Sequence, residues 1–189
     1  VPFEPIADVT TLTEPLDDFF FDQGYANAMG ASRRADGSGR GQVVNLDVRR
    51  KIADLDIPGM PHLGSGITFE RGGRTLMATP NLKQGVISVI DMKTWKLVKD
   101  IATPGPGFFM RSHEATPYAW TDSMMSPQAK NQLTIIDKRT LAPVASVQGP
   151  PGKTLAHIEF SKDGRHALAS LWEDDGALIV YDAATFKEI

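Results

Sequence analysis

The chain has 189 residues, 23 acidic against 20 basic side chains and a formal charge of −3, so it offers no basic surface for nucleic acid. With 41% hydrophobic and 23% charged residues it reads as a packed globular chain, not a disordered or coiled-coil one. It contains no cysteine, which removes disulfides, thiolate metal sites, cysteine nucleophiles and covalent c-type haem attachment within these residues. No apolar run is long enough to suggest a membrane span, and no charged-then-apolar leader suggests a signal peptide. Since the chain starts at Val1 rather than methionine, a processed or excised segment is expected.

In chain order, one pattern recurs four times: alternating apolar residues, an aspartate, a short polar turn and a further strand. Val43-Val44-Asn45-Leu46-Asp47 leads into 51–57, and Ile87-Ser88-Val89-Ile90-Asp91 leads into 95–101. Leu133-Thr134-Ile135-Ile136-Asp137 leads into 141–147, and Leu178-Ile179-Val180-Tyr181-Asp182 leads into 186–189. The aspartates are 44, 46 and 45 residues apart. Between the copies, 67–74 and 158–165 both read strand, tight glycine turn, strand.

Each unit therefore holds four short strands, the size of one β-propeller blade, and no helix-period segment competes. The expected fold is all-β, a β-propeller of four-stranded antiparallel blades with about four blades present, at roughly 16–57, 62–101, 107–147 and 154–189. Open faces at the two ends of such a row would invite self-association or completion by further blades. The four aspartates are expected to accept backbone N–H bonds in their turns, a structural role. Asp36-Gly37-Ser38-Gly39-Arg40-Gly41 is expected to be a flexible connection, because no helix start or Gly-Lys-Ser/Thr follows to make it a phosphate cradle. Residues 124–131 are expected to form a longer loop. Trp95, Trp120 and Trp172 are expected to pack within the sheets.

In a propeller, the loops joining a fourth strand to the next first strand gather on one face, where ligands sit. His62, in Pro58-Gly59-Met60-Pro61-His62-Leu63-Gly64-Ser65-Gly66, falls in such a loop, and His157 falls at the equivalent region of the last blade. Imidazole suits a general acid or hydrogen-bond donor there, because its pKa lies near working pH. The alternative is that His62 merely caps a turn and that His157 merely packs. His113 belongs to a first-to-second-strand hairpin at the other end and His166 to a second strand, so both are expected to be structural. The histidine spacings match no zinc motif, so no metal site is expected.

Three stretches carry more than their spacing: Met60 to Gly66, Arg111-Ser112-His113-Glu114-Ala115-Thr116-Pro117-Tyr118-Ala119-Trp120, and His157-Ile158-Glu159-Phe160 through Ala177 to Asp182. Together they resemble the d1-haem domain of the cytochrome cd1 nitrite reductase family, which includes the propeller proteins of haem d1 biosynthesis. The resemblance implies an eight-bladed ring around haem d1, of which these blades would be half, and a periplasmic setting. It implies His62 as a distal proton-transfer residue, with Gly64, Gly66 and His157 as neighbours of the cofactor. The family's other distal histidine would fall near Leu16-Asp17-Asp18, where this chain has Asp17, a candidate proton relay in its place.

That departure tilts the reading toward a relative that oxidises the dihydro precursor of haem d1, and away from nitrite reduction to nitric oxide. The axial haem ligand and a c-type cytochrome domain would lie outside this chain, and haem d1 or its precursor would be the partner. The alternatives are a non-enzymatic propeller that binds and delivers haem d1, and a protein-interaction propeller.

Overall fold

The computed structural model describes residues 12, 16–32 and 40–189, the side chain of Arg40 excepted, so residues 36–39 of the glycine-rich segment lie outside the described residues. The described strands form four antiparallel sheets in strict sequence order. The first holds β1 (Asp18–Phe21), β2 (Asn27–Ser32), β3 (Arg40–Asn45) and β4 (Arg50–Leu55). A 3-10 turn, Leu63–Ser65, precedes the second sheet, of β5 (Ile67–Arg71), β6 (Arg74–Pro80), β7 (Val86–Asp91) and β8 (Lys96–Ala102). The third holds β9 (Met110–Ser112), β10 (Tyr118–Asp122), β11 (Gln132–Asp137) and β12 (Ala142–Gln148). The fourth holds β13 (Leu155–Phe160), β14 (His166–Leu171) and β15 (Ala177–Asp182).

Period-two alternation gives each sheet two apolar faces, and these meet in three successive cores. Met29, Val43, Leu55, Leu63, Met77 and Ile90 pack between the first two sheets. Ile67, Val89, Ile101, Met110 and Ile136 fill the space between the second and third. Trp120, Leu133, Ile135, Ile158 and Tyr181 fill the last. Sheets packed face on face in sequence, each strand beside its chain neighbour, are the architecture of propeller blades.

The turn after each third strand repeats one device. Asp91 Oδ1 accepts the N–H groups of Lys93 and Thr94, Asp137 Oδ1 that of Arg139, and Asp182 Oδ1 those of Ala184 and Thr185. Four residues after the acceptor the chain turns left-handed, at Trp95, Leu141 and Phe186, and that residue's N–H closes on the acceptor's own carbonyl. In the first sheet this role belongs to Asn45 and not to Asp47: Asn45 Oδ1 takes the N–H groups of Asp47 and Val48, and Arg49 is the left-handed residue. The true repeat positions are thus Asn45, Asp91, Asp137 and Asp182.

The substitution has a local cause. Asn45 Nδ2 donates to Asn27 Oδ1, and Asn27 Nδ2 donates to Asp22 Oδ2, a chain that a carboxylate at position 45 could not begin. A β-bulge also recurs, between Val43 and Val44, Val89 and Ile90, and Ile135 and Ile136.

Two further expectations change. Residues 186–189 make one isolated bridge, Tyr181 to Glu188, instead of a fourth strand, since three residues after the turn at Phe186 give room for little more. Trp120 is fully buried and Trp95 packs partly against the first core, but Trp172 is 42% exposed beyond the end of β14 and packs in no sheet. Residues 124–131 are loop, as expected.

Candidate functional site

The segment between β4 and β5 is fixed by the top of the neighbouring hairpin. His62 N–H donates to the Pro80 carbonyl at 2.8 Å, and Leu82 N–H donates to Met60 at 2.8 Å. Beside them, buried Asn81 gives its Nδ2 to the Pro58 carbonyl at 2.8 Å, while its Oδ1 accepts from Met60, Lys83 and Gln84. Gly59, at φ +81, is required here: a side chain would meet Asn81 Oδ1 at 2.7 Å.

His62 is half-buried at the start of the 3-10 turn, and its Nδ1 lies 2.7 Å from the Phe108 carbonyl oxygen. A carbonyl can only accept, so Nδ1 carries the hydrogen and Nε2 is left as the lone-pair nitrogen of the neutral ring. The ring also lies 3.9 Å, centroid to centroid, from that of Phe108. Phe108 is followed at 4.7 Å by Phe109, and Phe109 stacks on His157 at 4.6 Å with 26° between the planes. Four rings from three successive sheets therefore form one run, with an imidazole at each end.

His157 is the third residue of β13 rather than its first, and it is the bulge residue there, skipped between Ala156 and Ile158. Its φ of +53 is a left-handed conformation that costs a branched-Cβ-free but bulky residue about 1 kcal/mol or more. The bulge turns the ring out of the ladder, exposed and against Phe109, with Nε2 3.9 Å from Glu159 Oε1.

Asp18 on β1 reaches the His62 turn, its Oδ2 accepting Gly64 N–H at 2.9 Å. Asp17, one residue earlier, is exposed, with its N–H on the Ala31 carbonyl. Gly66 N–H returns to Leu63, and a side chain at Gly66 would strike Met77 at 2.6 Å. The Gly64 amide is thus used by β1 and the Gly66 amide inside the turn. A recess of about 640 Å³ runs along the inner strands with Phe20, Gly66, Thr68 and Ser112 on its wall. His113 accepts the Ala115 N–H at Nδ1, and His166 lies in β14. A wider recess of about 880 Å³, between Glu70, Arg74, Glu114 and Lys138, lies at the opposite end from His62, where Arg74 is paired with Asp91 and Arg139 with Asp137.

Phe108 and Phe109 escaped the reading of the sequence, although a double phenylalanine following Gly105-Pro106-Gly107 in a loop between blades was the available sign. So did Asp122 and Glu173. Glu173 accepts from Thr154 N–H and Oγ1 and from Lys130, and these bonds, the Thr154 hydroxyl first, hold its carboxyl down at about 2. Among the described residues no three His, Cys, Asp or Glu side chains gather as a metal site.

Two imidazoles and two phenyl rings in one run on one face of successive blades define the class as a β-propeller with an aromatic face. The chain belongs to the Cytochrome D1 heme domain family, which it matches over residues 10–189. It is 49% identical over 174 residues to the dihydro-heme d1 dehydrogenase of Pseudomonas aeruginosa, covering 92% of this chain and 34% of that protein. The solved structure of dihydro-heme d1 dehydrogenase NirN in complex with DHE superposes with a TM-score of 0.87 at 48% identity, covering 94% of this chain and 37% of that one. The chain thus spans about a third of the length of the curated relative it matches. Kuenenia stuttgartiensis hydrazine synthase is similar in fold alone, with a TM-score of 0.73 at 14% identity over 99% of this chain and 51% of that one.

Proposed function

We propose that this chain is the part of a dihydro-haem d1 dehydrogenase-like protein that faces the macrocycle, with His62 moving a proton and the Phe108–Phe109 pair supplying an apolar edge. The observation that carries the reading is the ring run in which the Phe108 carbonyl holds His62 Nδ1–H. The residues suit such a ligand: aromatic edges favour a flat tetrapyrrole, and two outward imidazoles can meet its polar rim or its iron.

Removing hydrogen from a dihydro-tetrapyrrole takes away two electrons and two protons, and the iron macrocycle supplies the conjugated system that gives up the electrons. His62 Nε2 is the free base in position to accept a proton, and its fixed tautomer avoids any need for the ring to reorient. His157 closes the other end of the run. Asp17 is proposed as a second proton acceptor at the position where the reductases would have histidine, which favours dehydrogenation over nitrite reduction. The electrons pass to an acceptor outside this chain, for which a c-type cytochrome domain of the full-length protein is proposed. A periplasmic location belongs to the same proposal.

Phe19, Phe21 and Tyr25 are exposed on the first sheet and Trp172 and Leu178 on the last. These outward faces are proposed to be covered by further blades of the longer protein, completing an eight-bladed ring around haem d1, rather than by a second copy.

The test is His62→Ala in the full-length protein, mixed with dihydro-haem d1 and followed by visible spectroscopy. Binding should survive within about tenfold while conversion to haem d1 slows about a hundredfold or more. Unchanged conversion would remove the proton-transfer role. No spectral change with the unsubstituted protein would overturn the tetrapyrrole reading itself.

A further inference from the structure

We infer that Asp122 is a positioning residue for both imidazoles: one buried carboxylate holds the main chain that carries Phe108 and Phe109, and through these two residues it sets His62 and His157 together. Asp122 ends β10 and is fully buried. Its Oδ1 accepts the Phe108 N–H at 2.8 Å and the Met124 N–H at 3.3 Å, and its Oδ2 accepts the Phe109 N–H at 3.1 Å. None of these partners is a cation, so its geometry is set by main-chain donors from two different loops. Phe109, so held, stacks on His157 at 4.6 Å.

The consequences reach both ends of the ring run. Phe108 offers its carbonyl to His62 Nδ1 while its own N–H is held by Asp122, so the peptide units flanking Phe108 fix the His62 tautomer. His157, the left-handed bulge residue of β13, is met by the Phe109 ring, whose own N–H is held by Asp122. Gly107 lets the loop come this close, since a Cβ there would sit 2.3 Å from the Asp122 carbonyl oxygen. Asparagine could not substitute, because one of its two polar atoms is a donor and would face an N–H.

The assignment of a ligand to this face rests on the proposed function; the positioning role does not, and the two are tested separately. In the full-length protein without ligand, hydrogen exchange of the Phe108 and Phe109 amides should be as slow as that of the β10 strand amides. Rapid exchange of these two would overturn the inference without any substitution. In Asp122→Asn, at a temperature where circular dichroism shows it folded, the hydrogen-bonded Nδ1–H resonance of His62 should be lost and the imidazole resonances of both His62 and His157 should move. Asp137→Asn, a carboxylate at the far end of the neighbouring strand, should leave both unchanged. With haem d1 as the probe, the dissociation constant of Asp122→Asn should rise at least tenfold. Unmoved imidazole resonances in the folded variant would mean that Asp122 only closes a loop. A wild-type protein that ignores haem d1 would sink the ligand reading and leave the positioning result standing.

Discussion

At the turns that follow the third strands, all four sheets use the same device, an Asp or Asn whose side-chain oxygen gathers main-chain N–H groups before a left-handed residue. At the opposite end the sheets share a position, the end of the second strand, but not its chemistry. There Asn81, Asp122 and Glu173 each hold an incoming loop with a different side chain and a different set of donors. One turn chemistry repeats at one end, and varied chemistry marks the end where His62, Phe108, Phe109 and His157 converge. The electrostatics divide the same way. Burial pushes the Asp122 carboxyl up against its main-chain hydrogen bonds, whereas the Arg139 side chain, aided by turn N–H groups, brings Asp137 down to about 2.

The largest effect sets the scale for both ends. Trp120→Ala empties the core between the third and fourth sheets and should cost about 3–5 kcal/mol in denaturant unfolding, weakening both ends together. Asp91→Ala removes the acceptor for two turn N–H groups and should cost about 1–2 kcal/mol, with no change in haem d1 binding by visible titration. A weakened titration there would erase the distinction between the ends. Asn45→Asp restores the residue the other repeats use, yet it should destabilise by about 1 kcal/mol, because the donor to Asn27 is lost. A stabilised variant would show that the Asn45–Asn27–Asp22 chain is not the reason the first repeat departs. Phe109→Leu should cost about 1 kcal/mol in unfolding by removing one stacked pair, and it should release the His157 ring, visible as a shifted imidazole resonance.

Acid titration offers the finest comparison, one of sign. Asp137 has a folded pKa below its unfolded value, so its contribution is present above about pH 4 and fades as pH falls toward 2. The stability difference between wild type and Asp137→Asn should therefore shrink over that window. Asp122 has a raised folded pKa, so the folded state binds the proton more readily and the ionised group costs stability as pH rises above about 4. Wild type measured against Asp122→Asn should change in the opposite direction. Parallel slopes would mean that the two carboxylates sit in similar environments after all.

Much of the fold was legible because strands and turns are local. Alternation at Ile87 to Asp91 and Leu133 to Asp137, and the glycines at 72 and 73 with φ of +57 and +73, specify strand, hairpin and repeat without distant partners. The first repeat was misplaced by two residues because Asp47 looks like the consensus residue, and only pairing with Asn27 shows that Asn45 occupies it. His62 was legible from its place in an inter-blade loop, and His157 from the same topology.

What the sequence determined by itself is the repeat, and with it the all-β class, the face on which loops gather and the two imidazoles found there. The tertiary structure decided that those imidazoles are joined through Phe108 and Phe109, which nitrogen of His62 is free, and that Asp122 holds the run together. Strand period and turn chemistry act over a few residues and can be read in order along the chain. The two imidazole contacts of the ring run join residues 46 and 48 positions apart across three blades, and no local pattern encodes which of many loop residues will meet there.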